Sequence, residues 1–147
     1  MKKIFIALIV FMTISNSYSQ TDSKVEVQQE FMFYVYSDGN RITDLTSEKQ
    51  KLHIQKIGAY IENLAKTGKL KDAQPLEMEG TKISSNKGVF SETELNKDKK
   101  VIAGYYHILA VDMNEAITIA KADPRFEEEG WEIVIRPIKK VEGINKK

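Results

Sequence analysis

The chain has 147 residues, of which 41% are hydrophobic and 29% charged, with 22 Lys+Arg set against 21 Asp+Glu. That is enough for one domain with short appendages, and the charge balance lacks the basic excess of a nucleic-acid-binding surface. Cysteine is absent, which excludes disulfides, zinc–thiolate centres, iron–sulfur clusters and a thiol nucleophile.

The N-terminus carries Lys2-Lys3, an apolar run over residues 4–14 and then Ser17-Tyr18-Ser19 before Gln20. This is the three-part pattern of a signal peptide over residues 1–19. The apolar run is too short for the roughly 20 residues of a spanning helix. No cysteine follows it to take a lipid anchor. The expectation is therefore export to the periplasm or the extracellular space, with no membrane association after cleavage. Residues 20–29 are polar and without periodicity, and read as a linker.

Residues 31–36 (FMFYVY) form an apolar, aromatic run closed by Asp38-Gly39, the pattern of a strand and a turn, with the unbroken run pointing to burial on both faces. A helix is predicted from Thr46 or Ser47 to Gly68. Ser47 with Gln50 fits a capping box, and Gly68 fits the position after a helix end. His53, Ile57, Tyr60, Ile61 and Leu64 then fall on one stripe facing a core. Residues 74–78 and 81–85 read as short extended pieces, separated by a turn at Glu79-Gly80 and followed by one at Asn86-Lys87-Gly88. Residues 97–100 (KDKK) read as a surface loop.

Residues 101–111 carry the second clear strand. Asp112 then caps a helix, with Glu115 at the third position. Met113, Ala116, Ile117 and Ala120 give that helix an apolar face, and Pro124 ends it. Residues 131–136 (WEIVIR) alternate as a last strand, closed by Pro137, and residues 140–147 form a basic tail. The order β-α-β-β-α-β describes an α+β, ferredoxin-like split βαβ domain over residues 30–139. Both helices cover one face of its sheet. The other face is left open, and the expected partner is a second copy packed sheet on sheet as a homodimer.

Two histidines are the candidates for acid–base chemistry. His53 near the helix start is a candidate general base, with a structural role at the edge of the sheet contact as the alternative. His107 shares a strand face with Tyr105 and Leu109, and suits either a pocket wall or a structural position. Neither shows paired metal-ligand spacing, so no metal is expected. Phe31, Phe33, Tyr34, Tyr36, Tyr105, Tyr106 and Trp131 could wall an apolar pocket or fill core and interface. Glu132 and Arg136 share a face with Val134 between them. They suit a carboxylate ligand or, as the favoured reading, pairing across the sheet. Asp123-Pro124-Arg125 reads as a helix exit and Glu127-Glu128-Glu129 as a solvated face. Nucleotide-binding, serine-hydrolase and zinc-protease signatures are missing, and no cofactor is expected.

Several stretches together resemble the YCII-related domain family, in its DGPF-type branch. They are Lys56-Ile-Gly-Ala-Tyr-Ile through Gly68-Lys-Leu, Ala73-Gln-Pro-Leu-Glu-Met-Glu-Gly80, Gly104-Tyr-Tyr, Glu115-Ala-Ile-Thr-Ile-Ala-Lys121 and Glu132-Ile-Val-Ile-Arg-Pro-Ile138. The resemblance implies a ferredoxin-like α-β barrel that dimerises, and in some members a helix histidine paired with an acid. It also shows two departures. The family's helix histidine corresponds to Ile57, one turn after His53, and Asp-Gly-Pro-Phe is replaced by Lys87-Gly88-Val89-Phe90. The leading expectation is an exported, dimeric small-molecule-binding module. Its candidate ligand residues are Tyr34, Tyr36, His53, Tyr105, His107 and Arg136. One alternative is a small enzyme of lyase, isomerase or hydrolase type with His53 or His107 as general base. The other is a structural protein whose open sheet face binds a partner.

Overall fold

The computed structural model describes residues 27–39, 42, 45–96 and 99–144. The signal peptide, most of the linker, residues 97 and 98 of the expected surface loop and the last three residues of the tail lie outside them.

The first strand, β1 (Gln29–Asp38), alternates between two environments. Phe31, Phe33, Val35 and Ser37 are buried, while Met32, Tyr34 and Tyr36 are only half-buried. The expected burial on both faces is therefore corrected: one face makes the core, and the other is partly open. An unbroken apolar run hid a period of two because aromatic residues occupy both sides.

Helix α1 (Ser47–Lys66) begins one residue earlier than the proposed capping box allows. Thr46 is the N-cap, and its Oγ1 accepts the Lys49 N–H at 3.5 Å. Gln50 instead donates its side-chain amide to the Leu45 carbonyl at 2.8 Å. The helix ends in a Schellman motif. Gly68 adopts φ +69°, its N–H bonds the Ala65 carbonyl at 3.1 Å, and the Lys69 N–H bonds the Leu64 carbonyl at 2.8 Å.

Strand β2 (Leu70–Pro75) follows at once, four residues before the predicted extended piece. Two further strands, β3 (Thr81–Asn86) and β4 (Val89–Glu94), pair only with each other. Their two-residue loop is Lys87 and Gly88, both with positive φ, as a type I′ hairpin requires. This hairpin stands between β2 and the long strand β5 (Lys100–Ala110). The element order thus departs from the expected six elements by one inserted hairpin. Every residue of it is exposed, so it lacks the alternating apolar signal that marks a strand.

Helix α2 (Met113–Lys121) is capped as expected. Asp112 Oδ1 accepts the Glu115 N–H at 2.8 Å, and Glu115 reaches back to the Val111 N–H at 2.6 Å. The helix stops at Lys121, and Pro124 opens a separate 3₁₀ turn (Pro124–Glu127) that leads to β6 (Trp131–Pro137). Pro124 thus starts an element rather than ending one.

The main sheet is antiparallel, in the order β2-β5-β1-β6. With both helices this is an α+β, ferredoxin-like fold. Phe31, Phe33, Tyr106, Ile108 and Ala110 form the floor of the core, and Leu64, Ala116 and Ala120 come down from the helices. The alanines of α2 let its backbone approach the sheet closely.

Gly104 of β5 fixes how near β2 lies. A Cβ there would sit 2.9 Å from the Gln74 carbonyl oxygen and 3.5 Å from Pro75 Cα. Backbone atoms yield poorly, so Gly104→Ala should lower stability by about 1–3 kcal/mol, as overpacking does. Urea unfolding checks this, and an unchanged midpoint would show that β2 can move away freely.

Candidate functional site

A cavity of about 440 Å³ lies between α1 and the helix-covered face of the sheet. Its apolar walls come from Ile54, Ile57 and Ile61 of α1, Val35 of β1, and Ala73 and Pro75 of β2. Its polar groups are His53, Gln74, Tyr106, Arg125 and Trp131. Gly58 also borders it, and a Cβ built there would meet nothing within 4 Å. A glycine in a helix interior costs about 1 kcal/mol against alanine, so this position gives up helix stability and adds room to the cavity.

His53 is buried, with 3% of its side chain exposed. Its ring stacks on Trp131 at 5.6 Å between centroids. Its Nδ1 lies 3.0 Å from Glu128 Oε1. Partial burial would raise the Glu128 carboxyl, but the hydrogen bond and charge of His53 outweigh it and hold the group below its ordinary value. The Trp131 indole helps to lower it from nearby, without reaching hydrogen-bond geometry. An ionised carboxylate only accepts, so Nδ1 of His53 carries the hydrogen and Nε2 is left as the second ring nitrogen. That Nε2 is buried without a hydrogen-bond partner in the protein, and so is the indole Nε1 of Trp131. Among the described residues, these are the only buried side-chain nitrogens or oxygens so left. An unsatisfied buried polar atom costs about 1–3 kcal/mol, and both belong to the two stacked rings of the cavity wall.

Arg125 is held on three sides. Its Nη1 donates to Asp123 Oδ2 at 2.9 Å and to the Tyr106 hydroxyl. Its guanidinium lies 5.6 Å from the Tyr106 ring centroid and 5.5 Å from that of Trp131. Asp123 is buried, caps the 3₁₀ turn by accepting the Arg125 N–H at 2.9 Å, and accepts the Tyr106 hydroxyl at 3.1 Å. Burial pushes the Tyr106 phenol well up, Arg125 opposes the shift and Asp123 adds to it, so the hydroxyl stays protonated and donates. Tyr60 is raised in the same way, chiefly by burial and then by Asp123, and donates to the Ile119 carbonyl at 2.8 Å.

Of the six candidate ligand residues, the structure brings only His53 to this cavity. Tyr34, Tyr36, Tyr105, His107 and Arg136 lie on the opposite, helix-free face, as their alternation with the buried core positions requires. They are not gathered with His53 into one site. Tyr105 donates to Asp72 at 2.7 Å. Glu132 pairs across the sheet with Lys100 of β5 at 2.8 Å. The residues that sequence reasoning passed over are Arg125, read as part of a helix exit, and Glu128, read as part of a solvated face. Asp-Pro-Arg after a helix is the one signal that could have pointed to a structured turn. Nothing marks Glu128 among three consecutive glutamates.

His107 belongs to a second cluster on the open face. Its Nε2 lies 2.7 Å from Glu30, which also meets Lys71 at 3.1 Å and Lys140 at 3.2 Å. Lys71 leads in lowering the Glu30 carboxyl to about 2, against burial and with help from Lys140 and His107. A carboxylate depressed on folding stabilises the protein above its unfolded pKa and loses that contribution as pH falls through the folded one. Wild type should therefore lose stability between pH 4.5 and about 2, and Glu30→Gln should flatten that part of the curve. Parallel pH–stability curves for the two proteins would show that Glu30 plays no part in the acid loss.

Fold and cavity together define a ferredoxin-like α+β domain with a helix-roofed, mostly apolar pocket. Comparison with protein families matches the YCII-related domain over residues 30–141. The chain belongs to the YCII-related domain family. No curated protein matches it. Among the described residues, no group of three or more His, Asp or Glu side chains could hold a metal ion, and no helix is long and apolar enough to cross a membrane.

Proposed function

We propose that this protein is a small-molecule-binding module whose ligand occupies the cavity between α1 and the sheet. One observation carries the reading: the two unsatisfied buried polar atoms, His53 Nε2 and Trp131 Nε1, belong to stacked rings on the wall of a mostly apolar cavity. Such cavities, mostly apolar with a few placed polar groups, are where small ligands bind. Export through the pattern of residues 1–19 and a homodimer closing over Met32, Tyr34, Tyr105 and Val134 complete the proposal. They rest on the leader pattern and on the helix-free sheet face. Sedimentation analysis that returned only monomer would sink the dimer and favour a different partner for that face.

The test of the binding site is thermal unfolding of residues 20–147 against a broad metabolite panel, beside His53→Ala, His107→Ala and Gly58→Leu. A ligand at 100 times its dissociation constant adds about 2.7 kcal/mol, a shift of several degrees. The expected hit is lost in His53→Ala and in Gly58→Leu, which fills the cavity from a position with free space, and is kept in His107→Ala. Gly58→Leu should itself fold at least as stably as wild type, because it removes a helix glycine. A hit that survives filling of the cavity would place the ligand elsewhere.

A second reading is favoured by the His53–Glu128 pair. A carboxylate that takes Nδ1–H and leaves Nε2 for a reacting group is the base-and-orienter arrangement of acid–base enzymes. In that reading His53 is a general base and Glu128 positions it. Turnover of the stabilising compound that falls 10²–10⁴-fold in His53→Gln, with binding retained, is the expected sign.

A further inference from the structure

We infer that the ligand of this cavity is a monocarboxylate with an apolar body, and that Arg125 takes its carboxylate. The inference rests on the cavity being the binding site, and adds the chemical class of what enters it.

Arg125 is the one arginine or lysine on the cavity wall among the described residues. Its Nη1 is committed to Asp123 and Tyr106. Its Nε and Nη2 donors have no hydrogen-bond partner among the described residues, so a planar fork of N–H groups remains for a ligand. That fork is already oriented. Asp123 and Tyr106 fix one end, and the rings of Tyr106 and Trp131 flank the guanidinium. Little rotamer freedom is left to lose on binding, and a bidentate arginine–carboxylate pair is geometrically selective.

Asp123 offsets the charge of Arg125 but not its donors. Both Asp123 oxygens are occupied, and its side chain has no exposed surface. Glu128 borders the shallow depression on the other side of His53, not the cavity. Among the described residues the cavity thus offers a guanidinium fork and no carboxylate, amid isoleucine, valine and alanine. Acceptors on a planar head with an apolar tail match it. A phosphate dianion does not, because among the described residues one partly neutralised arginine is the only arginine or lysine on the wall.

The experiment is calorimetric titration of residues 20–147 with octanoate, octan-1-ol and octyl phosphate, in wild type, Arg125→Gln and Arg125→Lys. Octanoate should bind wild type about 10- to 100-fold more tightly than octan-1-ol, the range of a charge-assisted hydrogen-bond pair. Arg125→Gln should abolish the preference and keep the alcohol's affinity. Arg125→Lys, which keeps the charge and loses the fork, should retain only part of it. The wild-type comparison stands even where a variant folds poorly. Equal binding of octanoate and octan-1-ol, or tighter binding of octyl phosphate, overturns the carboxylate assignment and leaves the cavity reading intact. Binding of none of the three overturns this inference, while the metabolite panel decides separately whether the cavity binds anything. A preference for octanoate that persists in Arg125→Gln overturns the role of Arg125.

Discussion

Asp123→Ala should destabilise the domain by about 3–5 kcal/mol, the cost of removing one member of a buried ion pair. Asp123 does three jobs at once. It caps the 3₁₀ turn through the Arg125 N–H, accepts the Tyr106 hydroxyl and neutralises the Arg125 guanidinium. Its removal strands a guanidinium whose side chain is only 13% exposed. Most of the loss should therefore come from the charge left behind. Asp123→Ala combined with Arg125→Met should be less damaging than the two single losses added together, because no unpaired charge remains. Urea unfolding of all four proteins measures the coupling. A double-variant loss equal to the sum would show that carboxylate and guanidinium do not support each other.

Phe33→Ala should cost a similar amount, about 3–5 kcal/mol, for a different reason. Phe33 has no exposed surface and sits at the centre of the sheet, opposite Tyr106 on β5 and Ile135 on β6. Its loss removes apolar transfer energy and leaves a hole that the surrounding strands cannot close. Its neighbour Tyr34 is the internal comparison. It lies on the open face, half-buried, and Tyr34→Ala should cost about 1 kcal/mol under conditions that keep the protein monomeric. The pair of thermal midpoints should differ by about 10 °C or more. Comparable losses at both positions would mean that the open face is as well packed as the core.

The fold is legible in the sequence because its signals are local. The α1 stripe, the Asp112 cap and the alternation of β6 all lie within a few residues of one another, and the helix end at Gly68 is set by its own backbone geometry. The exposed hairpin is half legible, since its turn residues stand out and its strands carry no buried face. The site is not legible in the same way. His53 can be named because it falls on the core stripe. Its partner Glu128 is 75 residues away, and only the docking of the 3₁₀ turn against α1 selects it. Tyr106 and Tyr105 are neighbours of the same type. Alternation along β5 puts them on opposite faces, Tyr106 opposite Phe33 and Tyr105 opposite Tyr34, in a stretch of regular pairing. Which of the two faces the helices cover has no marker in these strand residues themselves. The aromatic residues of the two faces consequently read as one set, although the sheet separates them.

The separation of the faces also bears on how the domain works. The helix-covered side holds a cavity with a fixed arginine, a stacked histidine–tryptophan pair and a carboxylate behind the histidine. The open side holds tyrosines and the Glu30 cluster. If the first binds a small molecule and the second meets another protein surface, as proposed, a substitution on one side should leave the other's function in place.

The most direct test is two-dimensional NMR of ¹⁵N-labelled residues 20–147, titrated with the compound that most stabilises the protein. The Trp131 indole N–H and the amides of Gly58, Ala73 and Gly104 should shift together and saturate with one dissociation constant. Shifts confined to Tyr34, Tyr105 and His107, with the cavity signals unmoved, would contradict binding between α1 and the sheet.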